Sequence, residues 1–232
     1  MHYFLDTNVL IADIFSLDPL HKYSIKFFLG DGKYYFSENV RIECEDIFQR
    51  KLNDYYNFFS ELYFQFNSNA KKYVSHFIGE DMVNVEILHH FVNNINHSEF
   101  SKKDMHRVLN TFIKDVNLDY HEPINKINSI LSEFLHELQF KSRESKDELL
   151  NNLFKIPVHK NYYHSIEAVI LNNSLPIHSK DKKILLDAHE FSCNNQDISL
   201  FFVTGDEDFY ISINFLLELL CIEKGFYLKD FS

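Results

Sequence analysis

The sequence predicts an α/β protein in which a central parallel sheet is flanked by helices and interrupted by a mainly helical insertion. Three observations carry this reading. Strand-then-helix texture occupies both ends of the chain, whereas residues 52–175 lose strand-like alternation and read as successive amphipathic helices. Aspartates stand at the ends of the first and the late apolar strands. Composition is the third: five glycines and four prolines among 232 residues, with 45% hydrophobic content, leave little loop-forming material and enough apolar surface for a sizeable core.

In chain order, residues 3–5 with Val9 to Ile11 form an apolar run interrupted by Asp6-Thr7-Asn8, the pattern of a buried strand whose end leads polar residues into a loop. Asp18-Pro19 reads as an N-cap followed by proline at the first helical position. Leu20, Tyr23, Phe27 and Phe28 recur at helical spacing until Gly30 to Gly32 closes the helix. Lys33 to Phe36 is a second strand, and Ser37 caps a helix whose apolar face includes Val40, Cys44 and Ile47. In the middle stretch, Ile127, Ile130, Leu131, Phe134, Leu135 and Leu138 form a helical stripe, as do Val108, Leu109, Phe112, Ile113 and Val116, and Leu88, Phe91, Val92 and Ile95. The aromatic stripe Phe58, Phe59, Leu62, Tyr63 and Phe66 reads as core in preference to a base-stacking platform.

After Pro176 the α/β texture returns. Ser179 is placed to cap a helix with Ile184, Leu185 and Ala188, and Leu200 to Val203 is the most convincing strand in the chain. A helix through Ile213, Leu216, Leu217 and Leu220 follows, and Gly225 to Leu228 reads as a final edge strand. The expected organisation is therefore an α/β core from residues 1–51 and 176–232, with residues 52–175 inserted in the same domain or as a subdomain.

The net charge of −11 argues against a broad basic face for nucleic acid, because phosphate contacts need Lys and Arg to displace counterions. A small cleft is still open to a phosphodiester where a cation supplies local positive charge. Cys44, Cys193 and Cys221 are odd in number, widely spaced and free of CxxC patterning, as expected of reduced thiols in a cytoplasmic protein. The start of the chain lacks a signal-peptide pattern, and no apolar run approaches the roughly 20 residues that span a bilayer. The expected setting is soluble and cytoplasmic, with no membrane partner.

Asp6 and Asp206 each close an apolar strand and precede a helix, and the carboxyl ends of parallel strands are where α/β folds bind ligands. Glu43 lies early in the helix after the second strand, and Asp181 near the start of a late helix. Each acid alone is an ordinary loop or cap residue. Together they offer hard oxygen donors suited to Mg²⁺ or Mn²⁺, which relieve repulsion among clustered carboxylates and activate water toward phosphate esters.

These contexts resemble the motifs of PIN-domain nucleases. Phe4-Leu5-Asp6-Thr7-Asn8-Val9-Leu10 is similar to the opening motif, an apolar strand ending in Asp-Ser/Thr-Asn, and Ser37 to Glu43 to the second, a Ser or Thr followed six residues later by an acid. Asp181 to Ala188 resembles the third, and Thr204-Gly205-Asp206-Glu207-Asp208-Phe209 the fourth. The resemblance covers about the first 50 and last 55 residues. It implies a three-layer PIN-like fold and an endoribonuclease in which Asp6, Glu43, Asp181 and Asp206 are catalytic and hold Mg²⁺ or Mn²⁺. Asn8, Thr204 and Ser37 would support these acids, and Asp208 would be auxiliary. RNA is the implied substrate. The family also includes toxins, so a protein partner or antitoxin on the helical insertion, and a homodimer, fall within what the resemblance admits.

Asp187 competes with Asp181 for the third position. Six residues along a helix is a turn of about 600°, so the two face different ways, and first-turn placement favours Asp181. Lys180, Lys182 and Lys183 flank it and could meet RNA phosphates or simply face solvent. The 13 histidines, including His89, His90, His159 and His164, show no zinc-protease or finger spacing and read as surface or satisfied core residues. Two rival functions remain: a catalytically silent PIN-like interaction module, and a haloacid-dehalogenase-type phosphohydrolase with Asp6 as nucleophile, which would leave Glu43 unused.

Overall fold

A computed structural model describes residues 1–77, 80–95 and 100–231. The chain divides into two units, Met1–Phe48 with Ser145–Ser232, and Gln49–Glu144. The first begins β1 (His2–Leu5), α1 (Thr7–Ile14), α2 (His21–Phe28), β2 (Lys33–Ser37) and the opening of α3 (Glu38–Asn69). The second holds the rest of α3, then β3 (Ser75–Phe77), β4 (Glu80–Asn84), α4 (Ile87–Asn94), α5 (Lys102–Asp115), β5 (His121–Pro123) and the start of α6 (Ile124–Asn151). The chain then completes the first unit with β6 (Phe154–Ile156), α7 (His164–Asn172), α8 (Ser179–Asn194), β7 (Leu200–Thr204), α9 (Glu207–Phe215) and β8 (Lys224–Tyr227).

The first unit is α/β, as expected: a five-stranded sheet, ordered β6-β2-β1-β7-β8 and parallel throughout, flanked by helices. β1 is central, and Phe4 and Leu5 are fully buried, as a strand covered on both faces requires. Phe4 stacks on Phe202 of β7 at 5.3 Å, and Phe209 of α9 meets Phe202 edge-on at 5.4 Å. α1 and α9 pack on β7 and α8 on β2.

Several boundaries differ from expectation for identifiable reasons. Val9, Leu10 and Ile11 lie in α1 and not in an extended run, because Asp6 caps that helix and apolar residues on all its faces erase the helical period. α2 starts at His21: the Asp18 carboxylate accepts the Leu20 amide and holds Pro19 in a turn before the helix. α8 is capped at His178 and not at Ser179, with Asp181 in its first turn. The helix after Asp206 ends at Phe215 and passes into a short 3-10 turn at Leu217–Leu219. Ser37 does serve as expected, its buried Oγ accepting the Val40 amide at 3.3 Å.

The second unit is not purely helical. β3, β4 and β5 form an antiparallel sheet, with Ser75 opposite Met82 and Asn84 opposite His121. Strands of three to five residues are too short to show alternation against the helical periodicity around them. The unit ends at Glu144, so β6 and α7, grouped with the insertion by sequence texture, lie in the first unit. Its core is aromatic: Phe59, Phe112 and Phe134 meet pairwise at 4.6 to 4.9 Å, and Phe58, Leu62 and Phe66 are buried. The stripe on α3 is core, as read. Among the described residues, no helix is long and apolar enough to cross a membrane.

The expectation of three reduced thiols is overturned. Cys193 and Cys221 form a disulfide with their Cα atoms 5.3 Å apart, and Cys44 is the free cysteine. The 28-residue separation conceals the pairing, because it arises where the end of α8 meets the segment entering β8. Burial pushes the Cys44 thiol up to about 12.

Candidate active site

From β1 the chain moves to β2 and β6 on one side, then returns to β7 and β8 on the other. The switch point is therefore the crevice outside the carboxyl ends of β1 and β7, where open parallel sheets bind ligands. Leu5 and Val203 are register partners, so Asp6 and Asp206 leave neighbouring strand ends.

Asp6 is 2% exposed. Its Oδ1 accepts the Thr7 amide at 2.8 Å, and its Oδ2 accepts the Thr204 hydroxyl at 2.7 Å and, at a long 3.4 Å, the Asn8 side chain. The Thr204 Oγ in turn accepts the Asp206 amide at 3.0 Å, so one buried hydroxyl links the two aspartates. Asp206 caps α9, its Oδ1 accepting the Phe209 amide at 3.0 Å. Glu43, half-buried in the second turn of α3, accepts the Thr7 hydroxyl at 2.8 Å. Asp181 is half-buried in the first turn of α8.

The four acids act on one another. Burial raises the Asp6 carboxyl to about 7; the Thr204 and Thr7 hydrogen bonds oppose this, and the charges of Asp181 and Glu43 add to it. Asp181 is also raised, first by burial and then by Glu43, with Asp206 contributing and His178 opposing. Among the described residues none of the four is in an ion pair with a basic side chain, and the charge acting against the acids at Asp181 is that of His178. An all-oxygen donor set of this kind fits a hard divalent cation. The one group of His, Cys, Asp or Glu whose ligating atoms all approach within 4.8 Å among the described residues lies elsewhere. Among the described residues no three of the four acids bring ligating atoms within 4.8 Å of one another, so an ion between them would be held in part through water.

Asp187 behaves differently from Asp181. It is fully buried, and its oxygens accept from Asn39 Nδ2 at 2.8 Å, the His159 amide at 2.8 Å and His159 Nδ1 at 2.6 Å. Its hydrogen-bonding capacity is committed to tying α8 to the start of α3 and to the segment before α7. Asn8 and Asp208 are exposed, and Asp208 meets Ser212 only through its backbone carbonyl among the described contacts. Of the flanking lysines, Lys182 is bonded to Glu167 at 2.7 Å, Lys180 lies 3.9 Å from Asp46 and Lys183 is exposed.

Thr7 and Gly205 were not singled out by sequence reasoning. Thr7 holds Glu43, a role visible only when α3 is placed beside α1. A Cβ on Gly205 would come within 2.7 Å of Leu20 Cδ1 and 3.2 Å of Asn8 Cβ, so glycine permits the strand end to press against α1. Also unforeseen is the His189, Cys193 and Cys221 cluster; only the i, i+4 spacing of the first two on one helix hinted at it. Compared with protein-family models, with curated proteins and with solved structures, the chain has no significant match.

Proposed function

We propose that the chain is a divalent-metal-dependent nuclease of PIN-like type that hydrolyses RNA phosphodiester bonds, with Asp6, Glu43, Asp181 and Asp206 holding the cation. The observation that supports this reading is the placement of Asp6 and Asp206 on neighbouring strand ends at the switch point of a parallel sheet, joined through Thr204, with Glu43 bonded to Thr7 beside Asp6. Mg²⁺ or Mn²⁺ bound there would supply Lewis acidity toward a phosphoryl oxygen and acidify a water. The residues supply positioning: Thr204 fixes Asp6 against Asp206, and Thr7 aims Glu43. Asp187 serves the fold. The choice of RNA rests on the motif resemblance.

The phosphohydrolase alternative is disfavoured because Asn8 stands where that chemistry needs its second acid, two residues after Asp6, and because it leaves Glu43 unused. Purified protein incubated with Mn²⁺ and single-stranded RNA, beside Asp6→Asn and Asp181→Asn, tests the proposal. Cleavage that EDTA abolishes and either variant lowers at least about 100-fold is expected. Metal-independent cleavage, or full activity in Asp6→Asn, would sink the mechanism. Mn²⁺ binding without cleavage of RNA would favour the silent interaction module.

A further inference from the structure

At the far end of α8 from Asp181, His189 and Cys193 stand four residues apart on one helical face, and Cys221 meets them from the segment entering β8. The candidate ligating atoms of all three lie within 4.8 Å of one another. Cys193 Sγ is 3.6 Å from His189 Nε2 and 3.8 Å from Nδ1. This cluster shares no residue with the acidic crevice. Twelve residues of helix, a rise of about 18 Å, separate Asp181 from Cys193 along α8.

In the structure the two sulfurs are joined, yet the disulfide is not what alone holds Cys221 in place. Its carbonyl accepts the Ser192 hydroxyl at 2.7 Å, and its amide donates to His189 Nδ1 at 3.0 Å. Its neighbours Leu220 and Ile222 are buried, and the Glu223 amide bonds to Leu200 at the start of β7. Cys221 itself is exposed and Cys193 half-buried, so a small thiol can reach the bond. After reduction, the anchors from Ser192 and the core keep the two thiols and the imidazole together.

We propose that reduction converts this disulfide into a soft-metal site in which Cys193, Cys221 and His189 bind Zn²⁺. Two equivalents of a low-molecular-weight thiol deliver two electrons and two protons, giving two cysteine thiols and one disulfide of the reductant. Zn²⁺ then displaces both thiol protons and takes an imidazole lone pair, the one on Nδ1 that now accepts the Cys221 amide. Two thiolates and one imidazole are a recurrent donor set for Zn²⁺, with the fourth position left to water or an exogenous ligand. The acids at the other end of α8 offer only oxygen, so the two sites select ions of different hardness.

The test uses the full chain, reduced with a phosphine that is then removed, and Co²⁺ as a spectroscopic stand-in for Zn²⁺. Cobalt bound by thiolates shows an intense near-ultraviolet charge-transfer band that cobalt bound by carboxylates lacks, so the acidic crevice does not confuse the reading. The reduced protein is expected to develop this band at one equivalent of Co²⁺ and lose it when one equivalent of Zn²⁺ is added. The oxidised protein should show no band, and Cys221→Ser, whose exposed site tolerates the change and which keeps one thiolate, should show a clearly weaker one. Absence of the band in the reduced wild type, or an undiminished band in Cys221→Ser, would overturn the proposal. Circular dichroism of the reduced, metal-free chain separates loss of the site from loss of the fold: an unfolded reduced chain also overturns it, since the proposal requires the anchors to survive reduction.

Discussion

Replacing Asp6 by asparagine should stabilise the metal-free protein at neutral and higher pH while destroying activity, and the pH dependence identifies the cause. In the fold the Asp6 carboxyl titrates at about 7 against an ordinary 3.8, because it is buried beside the charges of Asp181 and Glu43. An acid whose folded value lies above its unfolded one favours the folded state while protonated. Its contribution is fully present below about pH 4, is lost as pH rises to about 7, and is constant beyond. At about 1.4 kcal/mol per unit the loss is at most about 4 kcal/mol, and a working range is about 2–4 kcal/mol. Asparagine carries no charge at any of these pH values and can still accept one of the two hydrogen bonds. Urea unfolding in EDTA at pH 4, 5.5, 7 and 8 should therefore give nearly equal stabilities at pH 4 and an Asp6→Asn variant more stable by about 2–4 kcal/mol at pH 8. Adding Mn²⁺ at pH 8 should raise the wild type and leave the variant behind, as the proposed binding of the ion to the native state requires. A difference that does not change with pH, or a variant less stable than wild type at pH 8, would refute the reasoning.

Thr204→Val keeps the shape and removes the hydroxyl that Asp6 and Asp206 share; urea unfolding should show a loss of about 1–3 kcal/mol, and RNA cleavage should fall about 10-fold or more. Asp187→Ala leaves Asn39 and the His159 amide without their buried acceptor, and thermal unfolding should register a loss of about 2–4 kcal/mol. Asp181→Asn should instead leave stability unchanged or higher at pH 8 while abolishing cleavage. Gly205→Ala must push aside Leu20 and the Asn8 Cβ, so a cost of about 1–3 kcal/mol in urea unfolding is expected, with reduced Mn²⁺ affinity by calorimetry.

Strand ends were the legible part of the chain. β1, β2, β7 and β8 could be read because each is a short apolar run bounded by turn chemistry, and their parallel pairing places Asp6 and Asp206 at one edge of the sheet. Glu43 is expected near Asp6 from its spacing from Ser37, whose hydroxyl caps α3, and it meets Thr7 beside Asp6. What could not be read depends on contacts between distant segments. Thr7 looks like part of a motif until α3 is beside it, and Cys193 shows nothing of Cys221 across 28 residues. α1 defeated periodicity because buried helices without a polar face carry no period. β3, β4 and β5 were hidden by brevity, and β6 reads as part of a helical stretch until β2 supplies its partner.

Asp187 and Asp6 show why burial alone does not mark a candidate site carboxylate. Asp187 is the more buried, yet three donors converge on it and, among the described contacts, its partners are an amide, a backbone N–H and an imidazole. Asp6 also receives donors on both oxygens, but satisfied hydrogen bonds do not cancel the repulsion from Asp181 and Glu43. A hydrogen bond offsets the lost solvation of one group; it leaves the charge in place to act on the next. The feature that separates the two residues is thus a surplus of negative charge over compensating charge. Protonation relieves such a surplus and so does a cation, but only the cation lets all four carboxylates remain ionised at neutral pH.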